Sequence, residues 1–255
     1  MDDLVWASNG LRYFRFPRLS SYRELSHAVY TRHGGISQRP FDSLNVSYTV
    51  GDRPENVREN LERIRRSMGA STILFMNQEH GKGVAVFKRD AGRMPSDAPL
   101  ADALVTNIPQ VGLLVKQADC QGIILYDPEQ GVVANVHCGW RGNVNNILGR
   151  VVSSMVRDFG SKETNILAAI GPSLGPCCAQ FVTYKSLFPK DFKAFMVGEN
   201  YFDLWAISCW QLMGAGIKED NIEVSGICTR CRTDLFYSYR AERRTGRFAT
   251  AAMLR

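Results

Sequence analysis

The sequence predicts an α+β fold, a layered single domain of mixed β-sheets flanked by helices. Strand-like apolar runs and amphipathic helical stretches alternate irregularly, and two strands often follow each other with no helix between them. That order favours mixed sheets over a doubly wound parallel fold. The 255 residues hold no internal repeat and no long linker, and Arg89–Pro99 is the best loop candidate, so we expect one domain over residues 1–255.

Three helices are indicated by apolar spacing and by the residues at their ends. The first begins at Asp52, interpreted as an N-cap before an early proline, and ends at Gly69. The second runs from about Asn143 to Phe159, and the third covers Asp203–Met213. Further strand candidates are Ala28–Thr31, Val84–Phe87, Ile123–Tyr126, Ile166–Ile170 and Ile222–Ile227.

The composition is that of an ordinary globular protein. Hydrophobic residues make up 45% and charged residues 22%, which is too apolar for a disordered chain. No apolar run approaches the ~20 residues of a membrane helix, and the acidic start Met1–Asp3 lacks the features of a signal peptide. We therefore expect a cytoplasmic protein that does not bind a membrane. Seven cysteines, an odd number, argue against a disulfide framework in that compartment.

Positive charge is concentrated near the C-terminus. Between residues 226 and 255, seven arginines stand against two acidic residues, which leaves a net charge of +5. Phe236, Tyr237 and Tyr239 lie among the arginines, a mixture that can bind nucleic acid by stacking. No recognised nucleic-acid module accompanies it, so we expect a solvated face or a lining that attracts a small phosphorylated ligand, and no nucleic-acid partner.

Three potential metal ligands stand out: His80, Cys120 and His137. Each follows a strand-like apolar run and is followed within two residues by glycine. Ligands at the ends of three strands can meet at one sheet edge. Two imidazoles and one thiolate suit an open zinc site, whose fourth tetrahedral position is left for water or substrate. The three apolar runs are Ile73–Met76, Val111–Val115 and Val132–Val136.

The same residues allow a different interpretation. A histidine or cysteine beside an apolar run is often only a packed core residue. A competing chemistry uses Cys120 as a nucleophile with His137 or His80 as its base, which would make the protein a cysteine hydrolase or amidase. Two histidines near one cysteine slightly favour a metal, because a thiolate–imidazole pair needs only one.

A second group of cysteines includes the CxxC motif of Cys228 and Cys231. A structural zinc ion there would need another pair, and the other close pair is the vicinal Cys177-Cys178, which is poorly spaced for a zinc knuckle. A thioredoxin-like role needs a βαβ setting that is not evident. We therefore expect free structural thiols at these positions.

Short motifs recur in a specific order over nearly the whole chain. They are Thr31–Ser37, Ser43–Asn45, Gly51-Asp52, Gln78–Gly81, Ala101–Thr106, Ala118–Cys120, His137–Gly142, Ile170–Pro172, Cys177-Cys178, Ser238–Arg240 and Thr245–Arg247. This ordered set resembles the YfiH-type family, whose members are often labelled laccase-domain or multicopper polyphenol oxidoreductase proteins. Gln121-Gly122 departs from the family pattern, which tends to have an apolar residue and proline there.

The resemblance implies a zinc-dependent purine nucleoside enzyme with a layered YfiH/CNF-like α+β fold. Family members are described as phosphorylases of adenosine, inosine, guanosine and methylthioadenosine, which release the free base and a ribose-1-phosphate or methylthioribose-1-phosphate. They are also described as adenosine deaminases. The family's His-Cys-His zinc ligands fall on His80, Cys120 and His137, which would form the catalytic centre, with copper as a second possible ion.

The expected small-molecule partners are therefore purine nucleosides and phosphate. Arg141, beside the metal motif, is the first choice for holding phosphate, and Arg32 is the next, because an arginine fork suits phosphate. Asn45 is a candidate for hydrogen bonds to ribose or base on the resemblance alone. The alternative role for each of these arginines is a structural ion pair that does not contact substrate.

The laccase label can be tested by counting histidines. A multicopper oxidase needs about ten of them for its copper centres, because copper sites favour imidazole. This chain has four histidines and no His-x-His pair. It cannot build that set of copper sites within one chain.

Overall fold

A computed structural model describes the backbone of residues 4–6 and all of residues 10–89 and 97–255. The acidic start Met1–Asp3 and most of the predicted loop Arg89–Pro99 lie outside the described residues. Among the described residues, every helix is too short or too polar to span a bilayer.

The strands occupy both halves of the chain and continue to its C-terminal end. They are β1 (Leu4–Trp6), β2 (Arg12–Phe14), β3 (Leu25–Tyr30), β4 (Thr72–Phe75), β5 (Val84–Phe87), β6 (Ala103–Thr106), β7 (Val111–Gln117), β8 (Gln121–Asp127), β9 (Val132–Cys138), β10 (Leu167–Ile170), β11 (Met196–Gly198), β12 (Tyr201–Phe202), β13 (Ile222–Val224) and β14 (Phe248–Leu254).

Helices are inserted between groups of strands. They are α1 (Pro17–Ser20), α2 (Pro54–Met68), α3 (Trp140–Val144), α4 (Ile147–Phe159), α5 (Tyr184–Leu187), α6 (Leu204–Gly214) and α7 (Tyr239–Glu242), with 3-10 turns at Glu163–Asn165, Lys190–Phe195 and Glu219–Asn221.

Within the described residues, two six-stranded mixed sheets form the centre of the molecule. The first sheet has the order β1-β2-β3-β14-β7-β4, and the second has the order β13-β10-β8-β9-β6-β5. Most neighbours are antiparallel, while β4 with β7, β5 with β6 and β10 with β13 run parallel. A small third sheet pairs β11 with β12.

The two sheets pack face to face, and helices cover their outer faces. The side chains of β14 alternate between the two faces of the first sheet. Phe248 and Ala252 point into the core between the sheets, whereas Ala249 and Ala251 point outward, where α2 packs. Likewise Ile124 of β8 faces the first sheet, while Ile123 and Leu125 face α4. Each large apolar side chain buried this way contributes about 1.5–3 kcal/mol relative to an exposed one. The order of layers is helix, sheet, sheet, helix.

The predicted helices are present, with corrections at their starts. The first ends at Gly69 in the left-handed region, as predicted, but its N-cap is Arg53 and not Asp52. The Asp52 carboxylate is occupied elsewhere, because it accepts hydrogen bonds from Ser37 Oγ at 2.6 Å and Asn45 Nδ2 at 3.0 Å. The third helix, predicted over Asp203–Met213, covers Leu204–Gly214, and Asp203 is its N-cap, whose side chain accepts a hydrogen bond from the Ala206 backbone N–H.

The second predicted helix, from about Asn143 to Phe159, is two helices in the structure. α3 ends at Val144, and α4 begins at Ile147 after Asn146, which takes a left-handed conformation with φ 48°. The Asn146 side chain then caps α4 by accepting a hydrogen bond from the Gly149 backbone N–H. The pair Asn145-Asn146 therefore breaks the pattern that apolar spacing alone joins into one helix.

Candidate active site

Two connections between strands and the end of a third strand bring His80, Cys120 and His137 to the same rim of the two packed sheets. His80 lies in the loop after β4, with a left-handed φ of 57°. Cys120 lies in the short turn that leaves β7 in the first sheet and enters β8 in the second. His137 lies near the end of β9, where its neighbour across the ladder is Gly122. The predicted meeting of three distant side chains is thus what the topology produces.

The potential ligand atoms of the three side chains all lie within 4.8 Å of one another. The two imidazole rings meet edge to face, with centroids 4.8 Å apart and planes at 83°. Gly139 keeps the space open, because a Cβ built there would stand 2.8 Å from Cys120 Sγ and 3.6 Å from His80 Cδ2. A side chain at position 139 would therefore displace the sulfur.

Asp102, just before β6, forms hydrogen bonds with both histidines. Its buried carboxylate accepts hydrogen bonds from the backbone N–H of His80 at 3.0 Å and of Gly81 at 2.6 Å. Its Oδ1 also lies 2.8 Å from His137 Nδ1. A proton on Nδ1 leaves Nε2 of His137 free to bind a ligand, which is the usual support for a metal-binding imidazole.

The pKa values of Cys120, His137 and Asp102 are shifted from their usual ranges. Burial opposes ionisation of Cys120, but the neighbouring His137 and His80 outweigh it and lower the thiol pKa to about 6. Burial likewise works against a charged His137, yet the Cys120 thiolate and Asp102 raise its pKa to about 9. For Asp102, hydrogen bonds from His137 and Gly81 overcome burial and hold the pKa below its usual range. The site therefore favours a thiolate at neutral pH, the form that binds metal or attacks as a nucleophile.

This donor set fits a divalent transition metal. Two imidazole nitrogens and a thiolate sulfur within 4.8 Å of each other can share one centre, and zinc sites of the catalytic kind use three protein ligands with one open position. The oriented Nδ1 of His137 supplies the supporting hydrogen bond that such sites require.

The three residues lie in the wall of an open cleft of about 800 Å³. This volume is within the usual range for small-molecule sites. The cleft is lined by one lysine and four arginines, by the aromatic rings of Trp140, Phe181 and Tyr239, and by the amides of Gln117, Gln121 and Gln180. A larger groove of about 1000 Å³ beside α4 and α6 contains none of the three potential ligands.

The five cations are Lys116, Arg141, Arg240, Arg243 and Arg247. Within the described residues, none of them forms an ion pair with a carboxylate. Burial lowers the pKa of Lys116 and of Arg247. Unpaired positive charge gathered in a concave surface attracts anions.

Asp119 fixes the segment that carries the basic residues. Its Oδ1 accepts hydrogen bonds from the hydroxyls of Thr229 and Ser238, both at 2.7 Å, and its Oδ2 accepts from the Arg240 backbone N–H at 2.6 Å. Asp119 itself has a left-handed φ of 83° and precedes Cys120. The turn that holds the thiolate is thereby bonded directly to the C-terminal basic segment.

The three predicted substrate-binding residues lie in different places. Arg141 is exposed and lines the cleft, with its guanidinium 5.0 Å from the Trp140 ring centroid. Arg32 is bonded within the protein: it pairs with Glu242 at 2.9 Å and stacks on the Tyr237 ring. Arg32 is not among the residues that line the cleft.

Asn45 is fully buried one layer behind the cleft. Its Oδ1 accepts hydrogen bonds from the backbone N–H of Ser47 at 3.1 Å and of Arg247 at 2.9 Å. Its Nδ2 donates to Asp52 Oδ2 at 3.0 Å. Asn45 thus connects the loop before α2 to an arginine of the cleft.

The sequence assigns no individual role to Asp102, Arg240, Arg243 or Arg247. The first, second and fourth belong to the short motifs Ala101–Thr106, Ser238–Arg240 and Thr245–Arg247, and the basic C-terminal segment is predicted to be a solvated face or a lining for a phosphorylated ligand. A signal was therefore present for the arginines, although nothing along the chain joins them to the three potential metal ligands. Their grouping depends on Asp119 and on the sheet topology.

The chain matches a described protein family over most of its length. A family model named multi-copper polyphenol oxidoreductase laccase matches residues 26–255. The chain belongs to this family. The matched range contains all three potential metal ligands, Asp102 and the five cations of the cleft.

Relatives in this family carry a consistent name. A purine nucleoside phosphorylase of Deinococcus radiodurans is 36% identical over 253 residues, covering 93% of this chain and 91% of the relative. The purine nucleoside phosphorylase YlmD of Bacillus subtilis is 32% identical over 241 residues, covering 88% and 87%. One from Bacteroides thetaiotaomicron is 29% identical over 245 residues, covering 90% and 91%.

Solved structures confirm the predicted fold of mixed sheets flanked by helices. A hypothetical protein YfiH of Bacillus licheniformis superposes with a TM-score of 0.88 at 27% identity, and all of both chains are covered. YlmD of Geobacillus stearothermophilus gives a TM-score of 0.87 at 28% identity with the same full coverage. The YfiH-type resemblance of the sequence is thereby confirmed.

Proposed function

We propose that this protein is a metal-dependent purine nucleoside phosphorylase, which also deaminates adenosine, with zinc as the ion held by His80, Cys120 and His137. The observation that carries the proposal is the placement of this donor set beside a group of cations with no carboxylate partner among the described residues. The names of the relatives agree with the phosphorylase part. The proposed substrates are adenosine, inosine, guanosine and methylthioadenosine.

Phosphorolysis needs an anion held beside C1′ of the ribose while the bond from C1′ to the purine nitrogen breaks. Arg141 and Arg243 are exposed at the cleft, and Arg247 lies deeper, with its guanidinium near the Tyr239 ring. Arginine guanidinium groups bind phosphate oxygens through paired N–H donors. These side chains would hold phosphate in position and neutralise its charge.

The aromatic side chains beside these arginines can accommodate the nucleoside. Trp140 and Phe181 offer aromatic surface for the purine, with ring centroids 6.4 Å apart. A divalent ion bound by the three donors would act as a Lewis acid towards an oxygen or a water molecule. Asp102 keeps the His137 ring oriented for this role. The Gln121 amide, held by Ser208 and by the Leu204 carbonyl, closes the wall beside Cys120.

The test is to incubate the purified protein with each nucleoside, with and without phosphate, and to separate the products by chromatography. Phosphorolysis requires phosphate and yields free base and the sugar phosphate, whereas deamination converts adenosine into inosine without phosphate. His80→Ala and His137→Ala should each abolish both reactions and lower the bound zinc. Full activity in both variants would remove the metal from the mechanism.

A matched pair of variants tests the anion site. Arg141→Gln should raise the KM for phosphate by about tenfold, the loss expected for one charge-assisted contact of 1.5 kcal/mol. The control is Arg66→Gln, which removes an exposed arginine that pairs with Glu62 on α2. An unchanged phosphate KM in Arg141→Gln would assign the anion to the other cleft arginines.

A second candidate function is a cysteine hydrolase or amidase. One observation favours it: Asp102, His137 and Cys120 lie in the order of an orienting acid, a base and a nucleophile. In that case a zinc-free preparation would remain active, and Cys120 would form a covalent intermediate that mass spectrometry detects. Activity that requires zinc and shows no such intermediate would exclude the hydrolase.

A further inference from the structure

We propose a second metal site, formed by Cys177, Cys178, Cys228 and Cys231, which binds a structural zinc ion through four thiolates. The four sulfur atoms all lie within 4.8 Å of one another. The site is separate from the three ligands of the proposed catalytic centre. Its spacing along the chain does not indicate it, because one pair is vicinal and 49 residues lie between the two pairs.

Sheet topology brings the two pairs together. β10 and β13 are parallel neighbours at one edge of the second sheet, so the loops that follow them leave in the same direction. The loops continue side by side: Ser173 N–H donates to the Ile227 carbonyl at 3.1 Å, and Thr229 N–H donates to the Ser173 carbonyl at 3.0 Å. This pairing places the vicinal cysteines of the first loop against the CxxC motif of the second.

The sulfur separations match tetrahedral coordination. Cys231 Sγ lies 3.7 Å from Cys177 Sγ and 3.6 Å from Cys178 Sγ. Four sulfurs at the usual zinc–sulfur distance of about 2.3 Å are about 3.8 Å apart. A disulfide bond would need about 2 Å. All seven cysteines of the chain are free thiols in this structure.

The surroundings also suit a bound thiolate centre. Cys178 and Cys228 are buried, whereas Cys177 and Cys231 are exposed, so an ion can enter from solvent. The Gly175 backbone N–H donates to Cys228 Sγ at 3.3 Å, a bond of the kind that supports metal-binding thiolates. Four thiolates with no imidazole or carboxylate form the donor set of closed, structural zinc sites.

An ion at this position would stabilise one wall of the cleft. Thr229, between two of the cysteines, donates its hydroxyl proton to Asp119, and Leu174 in the facing loop donates its N–H to the Asp119 carbonyl. Asp119 precedes Cys120 of the first centre. Joining the two loops through zinc therefore holds the turn that carries Cys120.

The experiment counts zinc per chain in the full-length protein after removal of loosely bound metal. The native protein should hold two equivalents, and His137→Ala and the double variant Cys177→Ser/Cys231→Ser should each hold one. The control is Cys209→Ser, which changes a half-buried thiol outside both sites and should keep two. Two equivalents in the double variant would overturn the proposal.

A second measurement leaves all four cysteines of the proposed site unchanged. Cobalt replaces zinc in the native protein and in His137→Ala, and a four-thiolate site gives intense sulfur-to-cobalt charge-transfer bands with a tetrahedral d–d spectrum. These bands should persist in His137→Ala. Their absence there would refute the metal site.

Discussion

Replacing Asp102 by asparagine would test how the histidines are held. One carboxylate oxygen accepts from both His80 N–H and His137 Nδ1, and the other accepts from Gly81 N–H at 2.6 Å. An asparagine has only one acceptor oxygen. If that oxygen keeps the two histidine contacts, its amide N–H₂ faces the Gly81 N–H, and two donors oppose each other. If the amide is rotated, His137 must accept at Nδ1 and carry its proton on Nε2.

The magnitude follows from these contacts. Losing one buried hydrogen bond to a charged acceptor costs about 1.5–3 kcal/mol of folding stability. The wrong imidazole tautomer directs an N–H at the ion, and loss of such support lowers metal affinity about 10–100-fold. That loss equals about 1.4–2.7 kcal/mol of binding free energy. We therefore expect Asp102→Asn to fold with reduced stability and to lose zinc and activity together.

The assay is competition for zinc with a chelator of known affinity, combined with denaturant unfolding of the metal-free protein. Asp127→Asn is the matched control, because Asp127 is also buried, accepts the backbone N–H of Glu129 and Gln130, and lies at the far end of β8. It should keep its zinc affinity. If Asp102→Asn binds zinc within twofold of the native protein, the orienting role is wrong.

Three further outcomes are expected. Gly139→Ala should reduce zinc affinity at least about tenfold in the same competition assay, because its Cβ would stand 2.8 Å from Cys120 Sγ. Unchanged affinity would show that the sulfur can move without weakening zinc binding. Burial, with the nearby Arg15, lowers the pKa of His27 from 6.5 to about 4. The free energy of unfolding should therefore be highest above pH 6.5 and fall by about 3 kcal/mol as the pH drops to 4. The variant His27→Gln keeps a hydrogen-bond acceptor and should lack this decrease when unfolded with denaturant. Gly35→Ala should destabilise the fold by about 3 kcal/mol in the same unfolding measurement, since its Cβ would overlap backbone atoms of Ser43 and Leu44. Gly214→Ala is the control, because the space around its Cβ is open, and it should not be destabilised.

Local patterns predicted much of the secondary structure. The apolar stripe and the final glycine of α2 are local signals, and both hold. The sequence predicts no strand at β14, because its residues Phe-Ala-Thr-Ala-Ala-Met-Leu are rich in alanine and have little strand propensity. It nevertheless lies in the middle of the first sheet between β3 and β7, where burial on both faces determines its conformation.

The three potential metal ligands were predictable because each stands where an apolar run ends. Asp102 was not assigned a role, since its contact with His137 depends on the pairing of β6 with β9. The four-cysteine cluster was not indicated either, because it depends on the parallel pairing of β10 with β13. Residues that act through such tertiary contacts leave no pattern in a single sequence.

The position of Cys120 between the two sheets has a mechanical consequence. His80 follows a strand of the first sheet, and His137 belongs to a strand of the second. A centre that needs both therefore depends on the relative alignment of the two sheets. Substitutions deep in their shared interior, far from any substrate, can change turnover by shifting one sheet against the other by a fraction of an ångström.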